Sequence, residues 1–335
     1  MKGLVRGLAT IALIGAGAAQ TGAHVFQREG LSSTGQPAVT REVYDRWKTE
    51  LSNWGRWGQD DTLGALNLVT PSKRKQAAAL VRDGVTVSLA APADFQKGAG
   101  PSGVAPYELV VTSRGPTGAG DRMNIAYHGN AVTHLDAFGH RFFDGRMYNG
   151  FSWEELTKSD SRKHESVYDV RDGILMRGIL MDIARLKGVD YLEPGTRIYV
   201  EDLEAWEKKA KVKVSPGDAL LVRTGRWQFE KRNGGPGKTF AGLDPSVIPW
   251  LKTRDIVLIG GEDSQDATPP LPGLPPLAVH DFCLVTLGVH TLDNADLDRL
   301  AAAAAARNRW EFMLVVAPLA VPGATGSPFN PIAAF

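Results

Sequence analysis

Six apolar, largely β-branched runs, at positions 85–90, 108–112, 178–183, 219–223, 256–259 and 312–316, recur at wide intervals and alternate with segments of helical character. The clearer helical segments are 71–82 and 200–209, each with a capping residue before it. A third runs from about Leu297 through the alanine tract 301–306, a strong helix former, to Arg309. Strands interleaved with helices cannot satisfy an all-β sandwich or a helical bundle, so the chain reads as α/β. No repeat and no internal linker is visible.

The first residues, Met-Lys-Gly-Leu-Val-Arg, lead into an apolar run from Leu8 to Ala19 and then small residues, the pattern of a secretory leader. Ala16-Gly-Ala18 and Thr21-Gly-Ala23 both offer cleavage sites. A membrane span needs about 20 apolar residues, more than this run supplies. The expected organisation is a leader at 1–23, an extension at 24–52 and a single domain at 53–335, in a periplasmic or secreted protein with no membrane attachment once the leader is removed. The lone Cys283 can form no intramolecular disulfide, so packing must stabilise the fold despite an oxidising compartment. A formal charge of +1 gives no electrostatic case for nucleic acid as a partner.

Function is most legible in Asn130-Ala-Val-Thr-His-Leu-Asp-Ala-Phe-Gly-His140, which carries His134, Asp136 and His140 within seven residues. In an extended strand these three would project from one face. Imidazole and carboxylate together suit Zn²⁺ or Mn²⁺ with a position left for water. His128 would lie on the same face but roughly 20 Å from His134 along a regular strand, so it is read as a pocket residue rather than a ligand.

This segment resembles the H-x-G-T-H-x-D-x-P-x-H pattern of the cyclase-like metal-dependent hydrolases, which include bacterial kynurenine formamidases and isatin hydrolases. Thr133, His134, Asp136 and His140 match in register, while Asn130, Val132 and Phe138 replace the first His, the Gly and the Pro. The similarity extends to 61–69, 140–150, Leu277-Ala-Val-His280-Asp281, 288–294 and the ending 323–335. It implies a swivelling β/β/α fold, a barrel-like mixed sheet with flanking helices, and assembly into dimers or larger homo-oligomers. It also implies that His280 and Asp293, the latter in place of a Glu, join His134 and Asp136 as metal ligands. With Asn130 and Asp293 departing from the pattern, one divalent ion, Zn or Mn, is expected.

A metal-bound water and a polarised carbonyl are the two needs of amide hydrolysis. His140 is the expected general base, since an imidazole titrates near neutrality, although metal ligation stays open for it. Asp293 could ligate directly or orient His280. The Pro-rich stretch 268–276 could serve as a stiff lead into His280. Asn130, Phe138, His128, Phe142 and Trp57 are the candidate pocket residues for a small aromatic amide or lactone. Phe138, beside the ligands, is the expected specificity residue. A member that has lost catalysis and only binds a small ligand or metal is the alternative.

Other hydrolase motifs are missing. The chain has no G-x-S-x-G elbow and no H-E-x-x-H helix. Its Asn233-Gly-Gly-Pro-Gly-Lys-Thr239 lacks the first Gly of a phosphate loop and no strand leads into it.

Overall fold

A computed structural model describes residues 38–92, 107–157 and 165–335. The expected leader and nearly half of the expected extension, residues 24–37, lie outside the described residues. A nine-stranded, curled half-barrel sheet runs in the order Thr86–Ser88, Ile332–Ala334, Glu311–Val316, Ile174–Asp182, Ala219–Arg223, Leu258–Gly261, His290–Asp293, His134–Asp136, Gly326–Pro328. Its centre, from Ile174–Asp182 to His290–Asp293, is parallel, and the strands on either side are antiparallel. Parallel neighbours need crossovers. The helices Val200–Ala210, Ile248–Arg254 and Ala278–Phe282 fall in the three crossover segments.

The central strands Ala219–Arg223 and Leu258–Gly261 are buried throughout and, apart from Arg223, carry no charged or polar side chain, as strands covered on both faces must be. Gly178 permits the closest approach in the sheet, since a Cβ there would stand 2.4 Å from the Phe312 ring. Among the described residues no helix is long and apolar enough to cross a membrane. Cys283 is fully buried, and burial raises its thiol pKa, as for a small hydrophobe in a core.

The strand and helix expectations match in place and differ in extent. The helix at 71–82 ends at Ala78, while the strand at 178–183 begins at Ile174. The compact unit spans Val39–Phe335 and so takes in residues assigned from sequence to the extension. Thr40 caps the helix Arg41–Glu50, and the fully buried Tyr44 on it donates its hydroxyl to the Ala278 carbonyl at 2.8 Å. That bond ties the start of the unit to the helix bearing His280.

Candidate metal centre

The sheet register assembles the site. His134 and Asp136 alternate onto one face of their strand, and the antiparallel neighbour places Asp293 opposite His134 and Thr291 opposite Asp136. Four side chains from two short strands thus share a face. On the other side of His134–Asp136, Gly326 faces Asp136; a Cβ there would meet the Leu135 carbonyl at 2.6 Å and Asp136 Oδ1 at 3.1 Å. Glycine therefore leaves the carboxylate its space.

His140 reaches the same carboxylate by a different route from the one expected. The strand stops at Asp136, and a 3₁₀ turn, Phe138–His140, swings the imidazole back to 3.6 Å from Asp136 Oδ2. His128 also departs from the extended-strand reading. The chain turns at 128–131, with Gly129 at φ +119°, and His128 Nδ1 comes to 3.1 Å from Asp136 Oδ1. A turn, not a strand, removes the calculated separation from His134. The rings of His128 and His140 stack at 3.9 Å between centroids.

His280 enters from the helix Ala278–Phe282. Asp266 fixes the start of that helix by accepting from the backbone N–H groups of Val279 and His280 at 2.8 and 2.9 Å. His280 Nε2 lies 3.1 Å from Asp136 Oδ2 and 3.7 Å from Asp293 Oδ2. Its Nδ1 faces Asp281 Oδ1 at 3.2 Å. Asp293 accepts from Gln265 Nε2 at 2.9 Å. The expected alternative, orientation of His280 by Asp293, gives way to Asp281, which holds the ring from its Nδ1 side.

Burial works against every charge here, and the neighbours decide the outcome. Burial pushes the Asp136 carboxyl up, but the surrounding imidazoles of His134, His128, His280 and His140 outweigh it and hold it well below the usual carboxylate range. Burial likewise opposes a charged His280, yet Asp293, Asp136 and Asp281 lift its pKa well above the usual imidazole value. Asp293 is raised, chiefly by burial. Burial lowers His140 to about 3 despite Asp136, so its ring is neutral at physiological pH.

Two donor groups meet at Asp136. His128, Asp136 and His140 form one, and His134, Asp136 and Asp293 the other, each with ligand atoms within 4.8 Å of one another. The donor set fits a divalent ion. His134 Nδ1 donates to the Val132 carbonyl at 2.8 Å, so in the neutral ring Nε2 presents a lone pair. That lone pair faces Asp136 Oδ1 at 3.4 Å, and the oxygen is buried without a hydrogen-bond partner. In the neutral ring two acceptors face each other, an arrangement that a cation between them satisfies. Donors around a tetrahedral ion with bonds of about 2.1 Å stand roughly 3.4 Å apart, close to this spacing.

The expected pocket residues divide. Asn130 directs its carbonyl to Arg226 Nη2 at 2.8 Å. Phe142 is exposed, and Trp57 packs partly buried against the main core with Arg56 over its ring. Phe138, expected to shape the substrate pocket, is instead buried in a small apolar cluster with Tyr148, Leu284 and Val285, its ring 4.3 Å from that of His290. An aromatic ring in place of a Pro is large enough to turn inward and fill that gap. Arg226 lines a small cleft with Phe229, Phe240 and Asp263, and none of the expected pocket residues contributes to it.

Arg141, Gln265, Asp281 and Thr291 escaped the sequence reading. Arg141 and Asp281 directly follow His140 and His280, the one local hint available. Their pairing spans 140 positions, which no spacing rule reveals.

A model of the Cyclase family matches residues 48–265. A crystal structure described as a novel cyclase shares 30% identity, with 86% of this chain and 99% of that chain covered and a TM-score of 0.77. Isatin hydrolase A from Labrenzia aggregata, bound to benzyl benzoate, superposes with TM-score 0.55 at 20% identity, covering 77% of this chain and 94% of its own. An isatin hydrolase bound to the product analogue thioisatinate gives 0.51 at 21%, covering 74% and 91%. A search of curated proteins finds no match. The fold and sequence together show that this chain belongs to the Cyclase family.

Proposed function

We propose that the protein is a metal-dependent hydrolase of a non-peptide carbon–nitrogen bond, acting on an aryl formamide or a cyclic aromatic amide. The observation that carries this reading is the convergence of His134, His140, His280 and Asp293 on Asp136, whose buried Oδ1 faces His134 Nε2 at 3.4 Å without a hydrogen-bond partner. His134, Asp136, His280 and Asp293 would hold one divalent ion, Zn or Mn. Such an ion supplies a polarised carbonyl and a water acidified toward neutrality. The isatin hydrolase structures superposed above support the cyclic-amide class, and the leader-like sequence pattern of residues 1–23 supports action outside the cytoplasm.

The chain's own groups do the rest. Against the effect of burial, the surrounding imidazoles, His134 first, hold the Asp136 carboxyl well below the usual carboxylate range, which favours the ionised, ligating form. His140 is about one-fifth exposed and lies 3.6 Å from Asp136, which places it to take a proton from an attacking water and return it to the leaving nitrogen. Asp281 keeps His280 oriented from its Nδ1 side. The test is a screen of metal-loaded protein against N-formylanilines, N-formylkynurenine, isatin and aromatic lactones. Turnover of an amide that chelation abolishes and Zn or Mn restores is expected; turnover of lactones alone would reassign the bond, and none at all would overturn the reading.

A further inference from the structure

We infer that His128 is a metal ligand at Asp136, in the donor group that it forms with His140 and not in that of His134 and Asp293, supplying the imidazole that the sequence register places at Asn130; the inference rests on the metal-site reading above. The backbone at Asn130 is anchored by a buried arginine. Its backbone carbonyl accepts from Arg226, a buried side chain also bound to Glu230, Asn294 and the Glu262 carbonyl, which fixes the backbone at Asn130, while the imidazole that reaches Asp136 belongs to His128. Asn294 secures the same turn from the other side, donating its Nδ2 to the carbonyls of Gly129 and Val132 at 2.6 and 3.0 Å.

The turn these bonds fix is what delivers His128. Gly129 sits at φ +119°, a conformation that a residue with a side chain adopts only under strain, and it reverses the chain just after His128. The ring is then held on three sides. It stacks on His140, meets the His134 ring edge-on with centroids 5.5 Å apart, and presents Nε2 to the Thr325 hydroxyl at 3.0 Å. With Nε2 engaged by Thr325, Nδ1 is the nitrogen turned to Asp136 Oδ1, 3.1 Å away. This is the oxygen that His134 Nε2 also faces. A ring oriented by a partner on its far nitrogen, with its near nitrogen aimed at a shared carboxylate, is how imidazole ligands are commonly held. The ligand has moved two residues along the chain, and the glycine turn compensates.

The experiment measures Zn²⁺ affinity by competition with a chelating dye and records the visible spectrum of the Co²⁺-loaded protein. It compares the full chain with His128→Phe, Asn130→Ala and Gly129→Ala. Phenylalanine preserves the stack on His140 while removing both nitrogens, and thermal melting of each variant checks folding. His128→Phe should lose at least about a hundredfold in Zn²⁺ affinity and alter the Co²⁺ bands, Gly129→Ala should lose affinity in part, and Asn130→Ala should match wild type. Wild-type affinity and spectrum in folded His128→Phe, or their loss in Asn130→Ala instead, would overturn the inference and leave the metal site standing. Failure of the unaltered protein to bind either ion would overturn the metal-site reading itself.

Discussion

Arg141 grips Asp281 through two parallel hydrogen bonds, Nε to Oδ1 at 2.6 Å and Nη2 to Oδ2 at 2.8 Å, and the gripped carboxylate faces His280 Nδ1. Paired N–H donors on a planar guanidinium fix the carboxylate plane as well as its position. The rotamer of a deeply buried imidazole is therefore set from a surface that still touches solvent.

Breaking that grip should loosen the centre without removing a ligand. Arg141→Ala or Asp281→Asn should weaken divalent-ion affinity about 10- to 100-fold, the range typical when a partner behind a ligating His is removed. Titration calorimetry with Zn²⁺ checks it, and unchanged affinity in both variants would remove the positioning role.

Acid should oppose metal binding at this site. In the metal-free protein His280 carries a proton, because its pKa is lifted well above the usual value by the three surrounding carboxylates. Ligation requires the neutral ring, so the ion must displace that proton. Affinity should rise about tenfold per pH unit until the pKa of His280 is passed, and Asp281→Asn, which removes one carboxylate, should shift that break to lower pH. A pH-independent affinity between 6 and 8 would contradict the protonation state assigned here.

Glu262 makes a separate pH-dependent contribution to stability. Its Oε2 accepts from Thr224 N at 2.8 Å, Thr224 Oγ1 at 3.0 Å, Gly225 N at 2.6 Å and Arg226 N at 3.1 Å, while its buried Oε1 has no hydrogen-bond partner. Burial pushes its pKa from 4.5 to about 7 against the pull of Arg223. A raised carboxyl pKa means that stability is fully present below the unfolded value of 4.5 and is lost as pH rises through about 7. The wild-type melting temperature should therefore fall across this window, and Glu262→Gln should flatten the fall. Glu262→Ala, which strands three backbone donors, should cost about 3 kcal/mol or more. Equal pH profiles for wild type and Glu262→Gln would sink this account.

Local patterns carried the α/β class and the approximate placement of the central strands and helices, because a buried strand such as Ala219–Arg223 must be apolar on both faces. The spacing of His134 and Asp136 could be read because alternation along three residues survives in the folded strand. Where the chain turns, the same logic failed. Neither the 3₁₀ turn that returns His140 nor the Gly129 turn that delivers His128 follows from strand periodicity. Asp281, Gln265 and Arg141 were illegible for another reason: their roles come from contacts between segments far apart in sequence. Phe138 misled because an aromatic beside ligands can face inward as readily as toward a substrate, and here the space beside Tyr148 and His290 admits it.

The most direct measurement is equilibrium Zn²⁺ and Mn²⁺ binding to the purified protein with Asp136→Asn in parallel, both checked for folding by thermal melting. Asp136 is the one residue shared by both donor groups. About one equivalent bound tightly by wild type, with affinity falling at least a thousandfold in the folded variant, is the predicted result. Matching affinities in the two proteins, or no binding by wild type, would contradict the account.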